Sequence, residues 1–203
     1  MFRLLVITAP IALPDEPRLL TNLLDAGLPS LHLRKPGWPA AQVETLIRAI
    51  PTPFHKRLVL HEHPELVRQY HLGGLHLTGA QRAATGPRPS LRSGQTLSTS
   101  LHSLAEIRRH RRRYDYVFLS PIFNSISKQG YASGFQLPEV QKCLELLATR
   151  VGYCPHVLAL GGVAAENIGL LPSAGFAGAA VLGTIWQSID PVAAWRQLTA
   201  QTL

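Results

Sequence analysis

His156-Val157-Leu158-Ala159-Leu160-Gly161-Gly162-Val163 opens the stretch on which the fold turns, and Gly178-Ala179-Ala180-Val181-Leu182-Gly183-Thr184 closes it. A short apolar run stopped by glycine has the length and the ending of a buried strand. Residues 156–160 are one such strand, ended by Gly161 and Gly162. The spacing predicts a helix near 164–171. Gly175 then breaks the chain before a second strand at 178–182. Beyond it, Asp190 can cap a last helix, with Pro191 at the first helical position, where its missing N–H costs nothing.

Toward the N-terminus the same alternation repeats. Residues 4–9 read as a strand, and 15–26 as a helix with Leu19, Leu20, Leu23 and Leu24 at helical spacing. Residues 30–34 are a second strand, followed by a helix at 39–50 carrying Val43, Leu46, Ile47 and Ile50 on one face, with Pro39 in its first turn. A third strand at 58–61 precedes a short helix at 64–70, and 74–77 is a very short fourth strand. Residues 80–94 hold two prolines and two glycines, so a loop is expected there, with the helix shortened or lost. Residues 96–100 are the fifth strand. Ser103 and Glu106 have capping-box spacing, which starts a helix at Ser103. Residues 115–119 are the sixth strand, and a polar loop at 121–135 leads to a helix at 137–149.

Eight strands, each followed by a connection or helix, define a (β/α)8 TIM barrel. A doubly wound open sheet shares the alternation, but the count of eight favours the barrel. At 203 residues the chain is short for this fold, so insertions must be few. Residues 1–203 read as a single domain, with no linker in view.

Composition narrows the function. Apolar residues make up 46% and charged residues 16%, which argues against disorder. No apolar run approaches the ~20 residues of a membrane span, and residues 4–7 soon meet Pro10 and Pro14, so they read as a strand and not a signal peptide. Two cysteines cannot build a disulfide framework, and a reducing cytoplasm is the expected setting. Cys143 shares an apolar helical stripe with Val140, Leu144 and Leu147, and Cys154 lacks metal-site spacing. The net charge of +8 attracts anions, either nucleic acid or a phosphorylated small molecule. The run Arg108, Arg109, His110, Arg111, Arg112, Arg113 falls on the helix predicted after strand five, without interleaved aromatics to stack bases. It reads as a solvated outer helix, so no nucleic-acid partner and no membrane partner is expected.

Barrel active sites form at the C-terminal strand ends, and those ends are polar here. They carry His32, Arg34 and Lys35, then His61, Glu62 and His63, then His76 and Thr78, then Ser98, Ser100 and His102, and finally Ser120, Ser125, Ser127 and Lys128. One histidine at a strand end is usually structural. Five at four successive ends point to a site. Gly161 and Gly162 after strand seven, with Leu182 and Gly183 after strand eight, match the loops through which barrels hold phosphate on backbone N–H groups. Ser125, Ser127 and Lys128 are a second anion candidate, two hydroxyls and an ammonium on one loop.

These motifs resemble the thiamine phosphate synthase and thiazole tautomerase (TenI-type) family. The resemblance rests on Leu31-His32-Leu33-Arg34-Lys35, Gly74-Leu75-His76-Leu77, Ser100-Leu101-His102-Ser103, the run from Asp115 to Phe123, Ala159-Leu160-Gly161-Gly162-Val163 with Asn167, and Gly178-Ala179-Ala180-Val181. It spans nearly the whole chain in order. It implies a transferase of thiamine biosynthesis that couples hydroxymethylpyrimidine diphosphate to thiazole phosphate and releases diphosphate. Arg34 matches the family's diphosphate arginine, Ser100 its strand-five serine and Lys128 its lysine, while Ser125 and Ser127 stand where it usually has threonines. Gly162 and the Leu182–Gly183 backbone would hold the thiazole phosphate. The resemblance also permits a homo-oligomer.

The chain departs from the family's pattern at several places. His32 replaces its glutamine. Pro36 occupies the place of its lysine, so that Lys35 comes one residue early. His61-Glu62 replaces an Asn-Asp pair, and Gln81 falls on its second metal aspartate. Magnesium wants hard oxygen ligands, so the implied Mg2+ rests on Glu62, with Gln81 a weak donor. The tautomerase's catalytic histidine falls on Pro121. An isomerase therefore needs its imidazole from His61, His76 or His102. A binding protein that keeps only the phosphate loops is the remaining reading.

Overall fold

The computed structural model describes residues 2–84, 89–124 and 134–202. Its strands are β1 (Arg3–Ile7), β2 (Leu31–Leu33), β3 (Leu58–Leu60), β4 (Gly74–Leu77), β5 (Thr96–Leu101), β6 (Tyr116–Leu119), β7 (His156–Leu160) and β8 (Gly178–Val181). Each pairs in parallel with the next, and β8 closes on β1. This is the (β/α)8 barrel expected from the alternation, not the open sheet. The helices are α1 (Glu16–Asp25), α2 (Ala40–Ala49), α3 (Pro64–Gln69), α4 (Gly79–Ala84), α5 (Leu104–Arg109), α6 (Leu137–Ala148), α7 (Gly183–Trp186) and α8 (Pro191–Ala200).

The period of two along each strand divides the core into two layers. Leu5, Ile7, Tyr116, Phe118, Leu158 and Ala180 cluster inside the barrel. Their neighbours Leu4, Val6, Val117, Leu119, Val157, Ala159, Ala179 and Val181 belong to the outer layer, with helix residues such as Leu20, Leu23, Ile47 and Cys143. The interior is not wholly apolar, because His32, His76 and Ser98 are also buried.

Several local expectations are corrected. The helix expected near 164–171 is only a 3-10 turn at Ile168–Leu170. Asn167 accepts the Ala164 N–H at 2.9 Å and donates to the Gly162 carbonyl at 2.9 Å, a closed local turn that competes with helix. The helix after β4 is short, as expected, with the six residues of α4. A 3-10 turn at Thr52–Arg57 lay outside the periodicity reading, and His55 closes it by donating to the Ile47 and Ile50 carbonyls at the end of α2. Ser103 caps α5 by accepting the Glu106 N–H at 3.1 Å, but the Glu106 carboxylate takes the His102 N–H instead of that of Ser103. The arginine run does not lie on one helix. α5 stops at Arg109, and Arg150 donates to the carbonyls of Arg108 and His110 just past that end.

Candidate active site

The C-terminal ends of the strands open into a cavity of about 440 Å³. Ile7, Pro10, Leu160, Leu182 and Phe118 supply its apolar wall, and Arg34, His61, His76, Thr78, Ser100, His102 and Ser120 its polar one. Arg34 is half-buried, and among the described residues no carboxylate pairs with it. Its backbone is pinned by Thr8, whose hydroxyl accepts the Arg34 N–H at 2.9 Å and donates to the Arg34 carbonyl at 3.2 Å. A guanidinium held in a partly dry cavity without a counter-charge favours an anion from outside.

At the cavity floor three imidazoles meet. His32 Nδ1 and His61 Nε2 share a hydrogen bond of 2.9 Å, and His32 Nε2 and the Tyr116 hydroxyl share one of 2.7 Å. His76 stacks on His61 with ring centroids 4.2 Å apart, and its Nδ1 and Nε2 bond the hydroxyls of Ser98 at 2.8 Å and Ser100 at 3.0 Å. Burial disfavours the imidazolium, which pulls His32 down to about 3. His61 and His76 are held well below the ordinary histidine value, by burial first and then by the neighbouring imidazoles and Arg34. Burial likewise pushes the Tyr116 phenol up to about 12, so it stays protonated.

The structure sorts the predicted site residues. Arg34, His61, His76, Ser100, His102 and Leu182 line the cavity. His32, expected to touch substrate, is 0% exposed and sits beneath the floor. Lys35, expected among the catalytic cations, points into the outer layer. Its ammonium pairs with Glu16 at 2.5 Å, donates to the carbonyls of Ala9 and Ile11, and lies over the Trp38 ring. His63, the remaining strand-end histidine, bonds the Trp38 carbonyl outside the cavity. Gly161 and Gly162 lie just past Leu160 with φ of 94° and 64°, a conformation glycine adopts freely. Their missing side chains make room for the β6 loop, since an added Cβ would stand 2.8 Å from the Pro121 Cβ and 2.7 Å from the Phe123 Cβ respectively. Gly183 opens α7, and Thr184 donates to the Val163 carbonyl at 2.5 Å, tying the last two loops together. Ser125, Ser127 and Lys128 lie outside the described residues.

The metal positions implied by resemblance do not form a hard-oxygen cage. The Gln81 carbonyl accepts the Thr78 N–H at 2.8 Å and its amide donates to the His61 carbonyl at 3.0 Å. Glu62 is half-buried and joins no cluster of ligating groups among the described residues. Magnesium is usually held by one or two carboxylates with substrate phosphates and water, so on this chain Glu62 is the one carboxylate of the implied pair, with the Gln81 amide already committed.

Sequence reasoning missed Tyr116, Phe118, Ile7 and Pro10. The first two were within reach, because residues 116 and 118 share the parity that faces the barrel axis.

Fold and site together define a (β/α)8 barrel with a cationic, imidazole-lined cavity at its C-terminal mouth. The thiamine monophosphate synthase family matches residues 4–185. The chain belongs to that family. It is 30% identical to the thiamine-phosphate synthase of Cronobacter sakazakii over 93% of this chain and 88% of that protein. It is 27% identical to that of Serratia proteamaculans over 93% and 87%. A crystal structure of thiamine phosphate pyrophosphorylase from Bacteroides thetaiotaomicron superimposes with a TM-score of 0.81 at 31% identity, covering 99% of this chain and 98% of that one.

Proposed function

We propose that the chain is a thiamine-phosphate synthase, a transferase of thiamine biosynthesis acting on phosphorylated small molecules. Family membership and the relatives named as synthases support this reading and leave no need for an isomerase. Two free cysteines, and the lack of a described helix able to cross a membrane, are compatible with the cytoplasmic setting proposed here.

The observation that carries the proposal is Arg34, a cation without a carboxylate partner among the described residues in a cavity that holds imidazoles and hydroxyls but no acidic side chain. In the reaction the bond between the pyrimidine methylene and the diphosphate oxygen breaks. Diphosphate leaves with the electron pair, and the thiazole nitrogen supplies the pair for the new C–N bond. Negative charge grows on the leaving oxygens, so a fixed guanidinium lowers the barrier by being in place beforehand. Ser100 and His102 offer donors on the same wall. Lys128, Ser125 and Ser127 match the family's diphosphate-binding positions by resemblance, and the backbone at Gly162 and Leu182–Gly183 would hold the thiazole phosphate. The apolar wall of Ile7, Phe118, Leu160 and Leu182 would pack against a heteroaromatic ring. Magnesium is what the family resemblance implies, and on this chain it would rest on Glu62 and the diphosphate oxygens, with Gln81 a weak donor.

The test is formation of thiamine phosphate from the two substrates by purified protein, with magnesium and with chelator. Product, together with loss of turnover in Lys128→Ala, supports the reading. Absence of product under both conditions, with thiazole phosphate still bound, turns it into a binding protein.

A further inference from the structure

We propose that His32, His61 and His76 form a binding site for a borderline divalent transition-metal ion, of which zinc is the type, at the floor of the cavity. The inference rests on the geometry of the three imidazoles and is independent of which substrate the cavity takes.

The three rings come from neighbouring strand ends, β2, β3 and β4, and each offers a nitrogen within 4.8 Å of the other two. Three imidazoles with an open fourth position is a donor set that suits zinc, and one that magnesium does not choose. The outer nitrogens are already held. The Tyr116 hydroxyl stands at His32 Nε2 and the Ser98 hydroxyl at His76 Nδ1. Both oxygens can accept an N–H, which leaves a lone pair on His32 Nδ1 toward His61 and one on His76 Nε2, which now accepts from the Ser100 hydroxyl at 3.0 Å. Metal-binding histidines are oriented by partners of this kind on their other nitrogen.

At the centre, His32 Nδ1 and His61 Nε2 are 2.9 Å apart with one proton between them. A tetrahedral ion with bonds of ~2.0–2.1 Å sets two ligand nitrogens about 3.4 Å apart. An ion can therefore replace that proton with a shift of about half an ångström, the displaced proton moving to His61 Nδ1. The His76 ring turns out of its stack on His61 and gives up the Ser100 hydroxyl to complete the set, its nitrogen moving by up to about 1.4 Å. His61 and His76 line the cavity, so the ion has a way in, and the fourth position faces the same space as Arg34. A hydroxide or a substrate oxygen there would offset the repulsion between ion and guanidinium.

Cobalt(II) is the probe, because its four-coordinate complexes absorb visible light far more strongly than the aquo ion. Metal-stripped full-length protein is titrated with cobalt, then with zinc in competition. The expected result is saturation at one equivalent with strong visible absorption, displaced by zinc. His61→Ala and His76→Ala should each weaken binding on the order of 100-fold or more. His156→Ala, an exposed histidine at the other end of the barrel, should leave it unchanged. Circular dichroism shows whether each variant is folded. If a ligand variant fails to fold, Tyr116→Phe removes only the hydroxyl that orients His32, and should weaken cobalt about 10- to 100-fold. The proposal is overturned by an absence of saturable binding to the native chain, or by binding of undiminished affinity in folded His61→Ala and His76→Ala, or in Tyr116→Phe.

Discussion

Arg34 and Lys35 are adjacent cations with opposite fates, and strand parity decides between them. Position 34 continues the inward parity of His32, while position 35 continues the outward parity of Leu33. Lys35 therefore meets Glu16 in the layer under α1, where both side chains are buried. Removing one member of a buried pair strands the other charge. Lys35→Ala is expected to cost about 3–5 kcal/mol of stability, measured by urea unfolding, whereas Lys35→Met with Glu16→Leu should recover most of that loss. A cost below 1 kcal/mol for the single variant would mean that the pair is solvated. Arg34→Ala should behave in the opposite way. Its stability should change little, while kcat/KM falls by about 10²–10³, the usual effect of losing one preorganised group at a developing charge. Wild-type turnover in Arg34→Ala would remove that residue from the mechanism.

At the scale of elements, the ends of β7 and β8 show what glycine and capping residues contribute. Gly161 has positive φ and lies against Pro121. Gly161→Ala adds backbone strain and a clash to the loop, and should cost about 1–3 kcal/mol, read as a fall in the urea midpoint at constant slope. α8 begins at Asp190, whose carboxylate accepts the N–H groups of Val192 at 2.9 Å and Ala193 at 3.0 Å. Asp190→Ala should cost about 0.5–2 kcal/mol without affecting turnover, since Asp190 does not line the cavity. The cap at Asp190 was legible because it needs only neighbours in sequence. The missing helix at 164–171 was not. Asn167 satisfies the backbone of that segment by a side-chain turn, and apolar spacing alone carries no trace of that competition.

For the whole molecule, the barrel interior holds neutral histidines that the unfolded chain would protonate. His32 binds a proton only near pH 3 when folded, against about 6.5 when unfolded. His61 and His76 are displaced in the same direction. Between those limits the unfolded state holds more protons, so stability is full above pH ~6.5 and is lost as pH falls toward 3. Each imidazole contributes a slope of up to about 1.4 kcal/mol per pH unit in that window. Urea unfolding at pH 7 and pH 5 should show the midpoint falling steeply. A midpoint that does not move over that interval would mean that the imidazoles are not buried as neutral groups.

The order of elements, the eightfold count and the identity of the polar strand ends were determined by the amino-acid sequence alone. They follow from local periodicity, from turn residues and from the resemblance carried by short motifs. Which polar residues converge was decided only by closure of the barrel. Register and parity place His61, His76 and Arg34 around one cavity, sink His32 beneath it, and turn Lys35 away toward Glu16. The physical reason is that a residue's type sets what it can bond, whereas its burial and its partners are set by strands distant in sequence. His32 and Tyr116, 84 residues apart, share their hydrogen bond inside the closed sheet.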